Sequence, residues 1–401
     1  MALLNNETDP RRPPLTEGDR AMLGSSAPAQ VRPYLSLWPE FAVTPTLPMP
    51  DLASRLGIGC LFVKDEGARL GLGSFKALGG AYAVMRLVHR HIERRLGRSV
   101  AVAELLTPRA REIAAELTVG CATDGNHGRS VAAGARLMGC RSVIFIHAGV
   151  SAARTDAIRS YADEVVRVAG TYDDSVDEAL RVCNERGWLV VSDTSWPGYE
   201  ETPGLVAQGY TILAEEALQQ IADYGEGSPT HVFLQAGVGG FAAAIACFLT
   251  DRLGSSRSKF IIVEPDRAAC LLESFRHGEI LRIAQGEPTI MAMLECYQPS
   301  LVAWRILRSC ADQFQSIPEE AAMEAMRMLA RPRGGDPLVV AGESGAAGLA
   351  GLIAATRDAV QREALGLGPQ SRVLVINTET ATDPASYEAI VGTPVAADAV
   401  K

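Results

Sequence analysis

From residue 117 onward, apolar and polar positions alternate in two rhythms. Short apolar runs are followed by longer stretches whose apolar residues recur at helical spacing. LTVGCAT leads through a DGN turn into the alanine-rich HGRSVAAGARLMG, SVIFIHA (142–148) into SAARTDAIRSYA, and EVVRVAG (164–170) into DDSVDEALRVCNERG, before WLVVSDTS (188–195). This pattern predicts strands alternating with helices. Compact βα units of this kind require parallel sheets with helices on both faces, so the expected fold class is α/β. The same grammar returns in HVFLQAGVGG with FAAAIACFLTDRL, in KFIIVEP (259–265) and in RVLVINTE (372–379). Two α/β modules therefore fit a 401-residue chain better than one. PGYEETPGL (197–205) is a plausible crossing between them, and RPRGGDP (331–337) has the chemistry of a loop.

A different pattern occupies residues 71–84, GLGSFKALGGAYAV, where one lysine stands among glycine, small and apolar residues. If a helix begins at Ser74, then Gly79, Gly80 and Ala83 share the face of Lys76, while Phe75, Leu78 and Tyr82 form an anchoring side. Adjacent glycines cost a helix about 1 kcal/mol each relative to alanine. Close approach of a flat group or of a second backbone would offset that loss. The plainer alternative is helix packing, with Lys76 reaching out to water.

Composition narrows the function. The formal net charge is −9, which argues against nucleic acid or an anionic membrane as the main partner. It leaves room for an anionic cofactor, because backbone dipoles bind phosphate whatever the net charge. The eight cysteines (60, 121, 140, 183, 247, 270, 296 and 310) form no CxxC pair, so reduced thiols in a cytoplasmic protein are expected, with neither a metal cluster nor a disulfide framework. MALLNNETDPRRPPL reads as an irregular arm, since its acidic residues and prolines fall where a secretory signal needs an apolar run. The longest uncharged apolar run, FAAAIACFL (241–249), is far short of the roughly 20 residues that span a bilayer.

Three segments offer chemistry. QAGVGGFAAA (235–244) follows an apolar strand and opens a helix, so its glycines let backbone N–H groups approach a phosphate. Gly237, Gly239 and Ala242 also satisfy G-x-G-x-x-A, with Glu264 ending the next strand. A dinucleotide, a phosphate monoester and simple packing all stay open here. ATDGNHGR (122–129) gathers Asp124, Asn126 and His127 at the end of a strand, where ligands of parallel sheets collect, although such residues also suit any turn or helix cap. Asp193 ends another strand. GESGAAG (342–348) and NTETATD (377–383) are small-residue turns that line a pocket or simply pack.

A helix-borne lysine, a later GNHG turn and a still later GVGG turn, in that order, resemble the fold-type II pyridoxal-phosphate enzymes. KDEGARLGLGSFKALGGAYA, TDGNHGR, SDTSWPGY, QGY, THVFLQAGVGG, IIVEPD, GESGA and TETATD are similar to the diaminopropionate ammonia-lyase family within them, from about Pro45 to Asp383. The resemblance implies a two-domain α/β fold: a large domain from residues 1–88 and 196–401, and a small one from 89–195. It implies that Lys76, after Phe75, holds pyridoxal 5'-phosphate as an internal aldimine, with the bare glycine face leaving room for the ring. Gly237, Val238, Gly239 and Gly240 would bind the 5'-phosphate, Asn126 the ring hydroxyl and Thr378 the pyridine nitrogen.

Asp124 stands where hydroxy-amino-acid dehydratases of this superfamily carry serine, and a carboxylate suits the β-ammonium of diaminopropionate. The resemblance gives Asp124 and Asp193 acid and base roles on opposite faces of the substrate. The implied reaction is α,β-elimination of 2,3-diaminopropionate through aminoacrylate to pyruvate and two ammonia, with no metal. A homodimer is implied, with a small amino acid as its only partner. The alternatives are a serine or threonine dehydratase, a lyase for another β-substituted amino acid and, on the G-x-G-x-x-A match, a nicotinamide-dependent oxidoreductase. Two departures from the family pattern stand out. Thr380 replaces a glycine, altering backbone freedom near the ring nitrogen, and Gly73–Ser74 replaces Asn-Ala before the Phe75–Lys76 pair.

Overall fold

The computed structural model describes residues 3–6, 12–123 and 125–395. The described residues contain strands β1 (Leu3–Asn5), β2 (Thr46–Pro48), β3 (Cys60–Asp65), β4 (Thr118–Ala122), β5 (Arg141–His147), β6 (Glu164–Val168), β7 (Leu189–Val190), β8 (His231–Gln235), β9 (Lys259–Pro265), β10 (Gln313–Ile317) and β11 (Arg372–Asn377). The chain divides into two compact units. One draws on Met1–Ala27, Val43–Ala68 and Leu213–Lys401, the other on Pro28–Ala42 and Arg69–Ile212.

The first unit is built on a seven-stranded sheet in the order β1-β10-β9-β8-β11-β3-β2. Its five inner strands run parallel and its two edges antiparallel. Val63, Phe233, Ile261, Val263 and Val375 pack against Ala322 and Met326 of the Glu319–Ala330 helix and Leu352 of the Ala347–Arg357 helix.

The short apolar runs predicted β8, β9 and β11, but not β10, whose sequence QFQSI is half polar and fully buried. Gln315 is accommodated because its amide donates to the Gly351 carbonyl (3.2 Å) and to Gln361 (3.1 Å). β3 likewise carries a fully buried lysine, Lys64. Its ammonium donates to the Thr44 carbonyl at 2.6 Å and to Glu216 at 2.8 Å. Removing either partner would strand an uncompensated charge, which costs several kcal/mol.

In the second unit four parallel strands lie in the order β6-β5-β4-β7. β7 is much shorter than the 188–195 run predicted. Beyond Val191, whose N–H still reaches the Gly120 carbonyl, the next amide turns to the phenol of Tyr199 and the ladder ends.

Close helix packing dominates this unit. A Cβ on Gly80 would lie 2.7 Å from Ser130 Oγ, and one on Gly134 would lie 2.7 Å from the Ala81 Cα, so the Lys76–Leu96 and Asn126–Met138 helices touch backbone to backbone. The Ser130 hydroxyl donates to the Ala77 carbonyl (3.1 Å) and accepts the Ala81 N–H (2.9 Å). The Glu201–Asp223 helix closes the other side, where a Cβ on Gly79 would lie 2.5 Å from Tyr210 and one on Gly209 would lie 2.5 Å from the Leu78 carbonyl. These contacts keep the whole lysine-bearing helix in one unit, whereas a border at 88 would cut it.

Gly134→Val should therefore overpack the helix contact and lower stability by about 1–3 kcal/mol. Gly286→Ala, which meets nothing within 4 Å, should leave it within about 0.5 kcal/mol. Urea midpoints of the two variants check this.

Candidate functional site

The lysine-bearing helix starts at Lys76, two residues later than the apolar pattern suggested. Ser74 sets the start: its hydroxyl accepts the Lys76 N–H (3.2 Å) and its carbonyl accepts the Ala77 N–H (3.1 Å). Lys76 does not run out to water. Its Nζ lies 3.0 Å from Asp193 Oδ2, and the two side chains are only 19% and 16% exposed. The expectation that the glycine face clears room for a ring is corrected, because Gly79 and Gly80 are occupied by close contact with Tyr210 and Ser130. Next to Lys76, the Phe75 ring lies 4.7 Å from the Tyr210 ring.

Burial alone would raise the Asp193 carboxyl. The Lys76 ammonium and the hydrogen bond it donates more than reverse this and hold it well below the usual carboxylate range. His127 was noticed in the sequence but given no role. Burial lowers its pKa and keeps the ring neutral. Its Nε2 lies 2.8 Å from the Val191 carbonyl, so the proton sits there and Nδ1 is a buried acceptor with no partner among the described residues. Asn126 opens its helix and accepts from Arg129 at 3.2 Å. Thr123 holds the turn before it, accepting the N–H groups of Gly125 and Gly128, each at 3.0 Å. Asp124, the other candidate carboxylate, lies outside the described residues. Tyr210 was quoted within the QGY motif but given no role, because a contact with Phe75 across 135 positions leaves no local trace.

The other candidates belong to the first unit. β8 ends at Gln235, and Gly239, with φ +93°, turns the chain into the Gly240–Leu253 helix. A side chain is excluded here: a Cβ on Gly239 would lie 3.1 Å from Ala303 and Leu271, and one on Gly237 would lie 2.8 Å from Cys296 Sγ. The carbonyls of Gly237 and Val238 are taken by the Cys270 thiol (3.7 Å) and the Ser300 N–H (3.0 Å). The first N–H groups of the helix have no intrahelical acceptor and carry its positive end, which suits a phosphate.

Glu264 does not serve a dinucleotide. Its two oxygens accept the Leu271 and Leu272 N–H groups, each at 2.8 Å, and cap the Cys270–His277 helix. Thr378 is buried, and its hydroxyl accepts from the Gln235 amide at 3.1 Å, which leaves its hydrogen to donate. Thr380 is also buried, its hydroxyl without a partner among the described residues.

Each unit thus holds groups suited to a phosphorylated pyridine aldehyde: the second a screened lysine amine, the first a side-chain-free turn at a helix N-terminus and a buried neutral hydroxyl. The family described as pyridoxal-phosphate dependent enzyme matches residues 37–379.

The chain belongs to the pyridoxal-phosphate-dependent enzymes.

Its relatives within this family include diaminopropionate ammonia-lyase of Escherichia coli strain K12, 40% identical over 356 residues that cover 87% of each chain. Two crystal structures of the Escherichia coli enzyme are also similar. One, in complex with an aminoacrylate-pyridoxal phosphate azomethine intermediate, has a TM-score of 0.86 and 36% identity; the other, in complex with D-serine, has 0.87 and 34%. Each comparison covers 97% of this chain and 96% of the other. The fold is that of the fold-type II enzymes, and the cofactor is pyridoxal 5'-phosphate.

Glu264 gives this pyridoxal-phosphate enzyme a testable pH signature. Burial pushes its carboxyl up to about 8 from an ordinary 4.5. A raised folded-state pKa means that the protonated form stabilises the fold. The contribution is complete below the unfolded value and is lost as pH rises through the folded one. Relative to Glu264→Gln, the unmodified chain should therefore lose stability between about pH 5 and 9 and run parallel to the variant below about pH 4, as read from urea midpoints.

Proposed function

We infer that this chain is a carbon–nitrogen lyase that converts 2,3-diaminopropionate and water to pyruvate and two ammonia. The chain covers 87% of the Escherichia coli lyase at 40% identity, which supports the reaction class. The contact between Lys76 and Asp193 carries the residue assignment.

Bound pyridoxal phosphate supplies the electron sink that makes the substrate α-carbon acidic. Lys76 would hold the cofactor at its aldehyde carbon once its ammonium has given up a proton, since the free amine is the nucleophile. The Gly237–Gly240 turn would take the 5'-phosphate, Asn126 would meet the ring hydroxyl, and Thr378 would donate to the pyridine nitrogen. Phe75 packs beside the site. Asp193, kept ionised, is one proton-transfer carboxylate and Asp124 is the other. Each serves one face of the α-carbon, and Asp124 also pairs with the β-ammonium. Loss of the α-proton and departure of the β-amine leave an enamine, which takes up water and releases pyruvate and the second ammonia. The family resemblance also supports a cytoplasmic homodimer; sedimentation should give twice the mass of the chain.

Pyruvate release from 2,3-diaminopropionate should exceed that from serine or threonine by on the order of 100-fold in kcat/KM. Faster turnover of the hydroxy acids would remove the role given to Asp124. Borohydride reduction of the holoenzyme should leave the pyridoxyl mass on Lys76. Asp193→Asn and Asp124→Asn should each lower kcat by roughly 100-fold or more, on opposite enantiomers of the substrate. Equal losses on both enantiomers would refute the two-face assignment.

A further inference from the structure

We propose that Tyr199 is the positioning residue for Asp193: its phenol clasps the two chain positions that flank the end of β7 and thereby sets which enantiomer is turned over efficiently. This inference rests on the role given to Asp193 above.

Asp193 sits two residues beyond Val191, at the point where β7 has lost its ladder, so no neighbouring strand fixes its backbone. The Tyr199 hydroxyl takes over that task. It donates to the Val190 carbonyl at 2.8 Å and accepts the Ser192 N–H at 3.1 Å, closing a loop of the chain around Asp193. The ring has little freedom. It stacks on Trp196 with centroids 4.3 Å apart and planes within 17°, and the Tyr199 N–H donates to the Trp196 carbonyl at 2.9 Å. Inside the loop, the Thr194 N–H donates to the Ser192 hydroxyl at 3.2 Å. On the strand side, His127 binds the Val191 carbonyl, so the peptide units on both sides of Val191 are held by side chains, the second of them from both Tyr199 and His127. The Asp193 carboxylate is turned toward Lys76, whose Nζ donates to it at 3.0 Å.

The phenol suits the task because it remains protonated. Burial pushes its pKa up to about 12 against the opposing hydrogen bonds from Ser192 and Thr202, so it donates to Val190 throughout the neutral range. A displacement of a proton-transfer group by a fraction of an ångström costs rate rather than affinity, which separates this role from one in substrate binding.

The test uses holoenzyme with each enantiomer of 2,3-diaminopropionate. Tyr199→Phe keeps the stack on Trp196 and deletes the two hydrogen bonds of the clasp, and with them the bond with Thr202. It should lower kcat roughly tenfold on the enantiomer that Asp193→Asn disables, leave KM within about twofold and leave kcat on the other enantiomer unchanged. A cofactor absorbance spectrum matching that of the unmodified enzyme would show that the cofactor is still seated. Equal losses on both enantiomers, no loss on either, or a rise in KM alone would overturn the proposal. Should Tyr199→Phe fold poorly, Trp196→Phe, which weakens the stack and spares both hydrogen bonds, should shift the enantiomer ratio in the same direction by a smaller factor; an unchanged ratio would count against the clasp. If Asp193→Asn itself shows no preference between enantiomers, the assignment of Asp193 fails first, and that outcome is distinct from a failure of the clasp.

Discussion

A lysine amine can be kept beside a carboxylate and largely away from water only if the backbone bearing it is prevented from yielding. The Lys76–Leu96 helix meets this condition by close packing on two sides. Gly80 and Gly134 bring it against one helix and Gly79 and Gly209 against another, at separations no side chain would allow. Those contacts place Nζ 3.0 Å from Asp193, and the electrostatics follow: the carboxyl stays ionised despite its burial, while His127 stays neutral. The glycines that looked costly in isolation are repaid by dispersion and backbone contact.

On the assignment proposed above, the first unit would bind an anion although the chain has net negative charge. The residues assigned to that task carry no charged side chain. The turn from β8 into the Gly240–Leu253 helix presents backbone dipoles, and its shape is held from outside by the Cys270 thiol, the Ser300 amide and the side chains that fill the space a Cβ would need. Glu264, which could have been taken for a nucleotide ligand, instead caps the Cys270–His277 helix, whose Leu271 packs against Gly239.

Much of this was legible in the sequence, and the exceptions have identifiable causes. β9 matches its apolar run residue for residue, because a parallel inner strand buries both faces. β10 was invisible because hydrogen bonding pays for its glutamines in place of apolar burial. β3 escaped notice for a related reason, the ion pair of Lys64 with Glu216. At the site, Lys76 stood out as a lone charge in a glycine-rich, apolar run, and Asp193 as a carboxylate ending a strand. Their proximity across 117 positions is a product of topology and could not be counted off the chain. The glycine face was read as open because sequence gives the size of a side chain but not what its absence admits.

The hydrogen bond from the Gln235 amide to the Thr378 hydroxyl has a consequence for selectivity among reactions. By occupying a lone pair of that oxygen, the amide polarises the O–H bond outward, so the hydroxyl can lend a hydrogen bond to a basic aromatic nitrogen without surrendering its proton. On the assignment of Thr378 made here, the heterocycle is stabilised as a neutral base and withdraws charge only moderately. Such a ring favours chemistry in which negative charge is discharged at once by expelling a neighbouring group, and disfavours chemistry that must store that charge. One buried amide thus biases the outcome toward elimination.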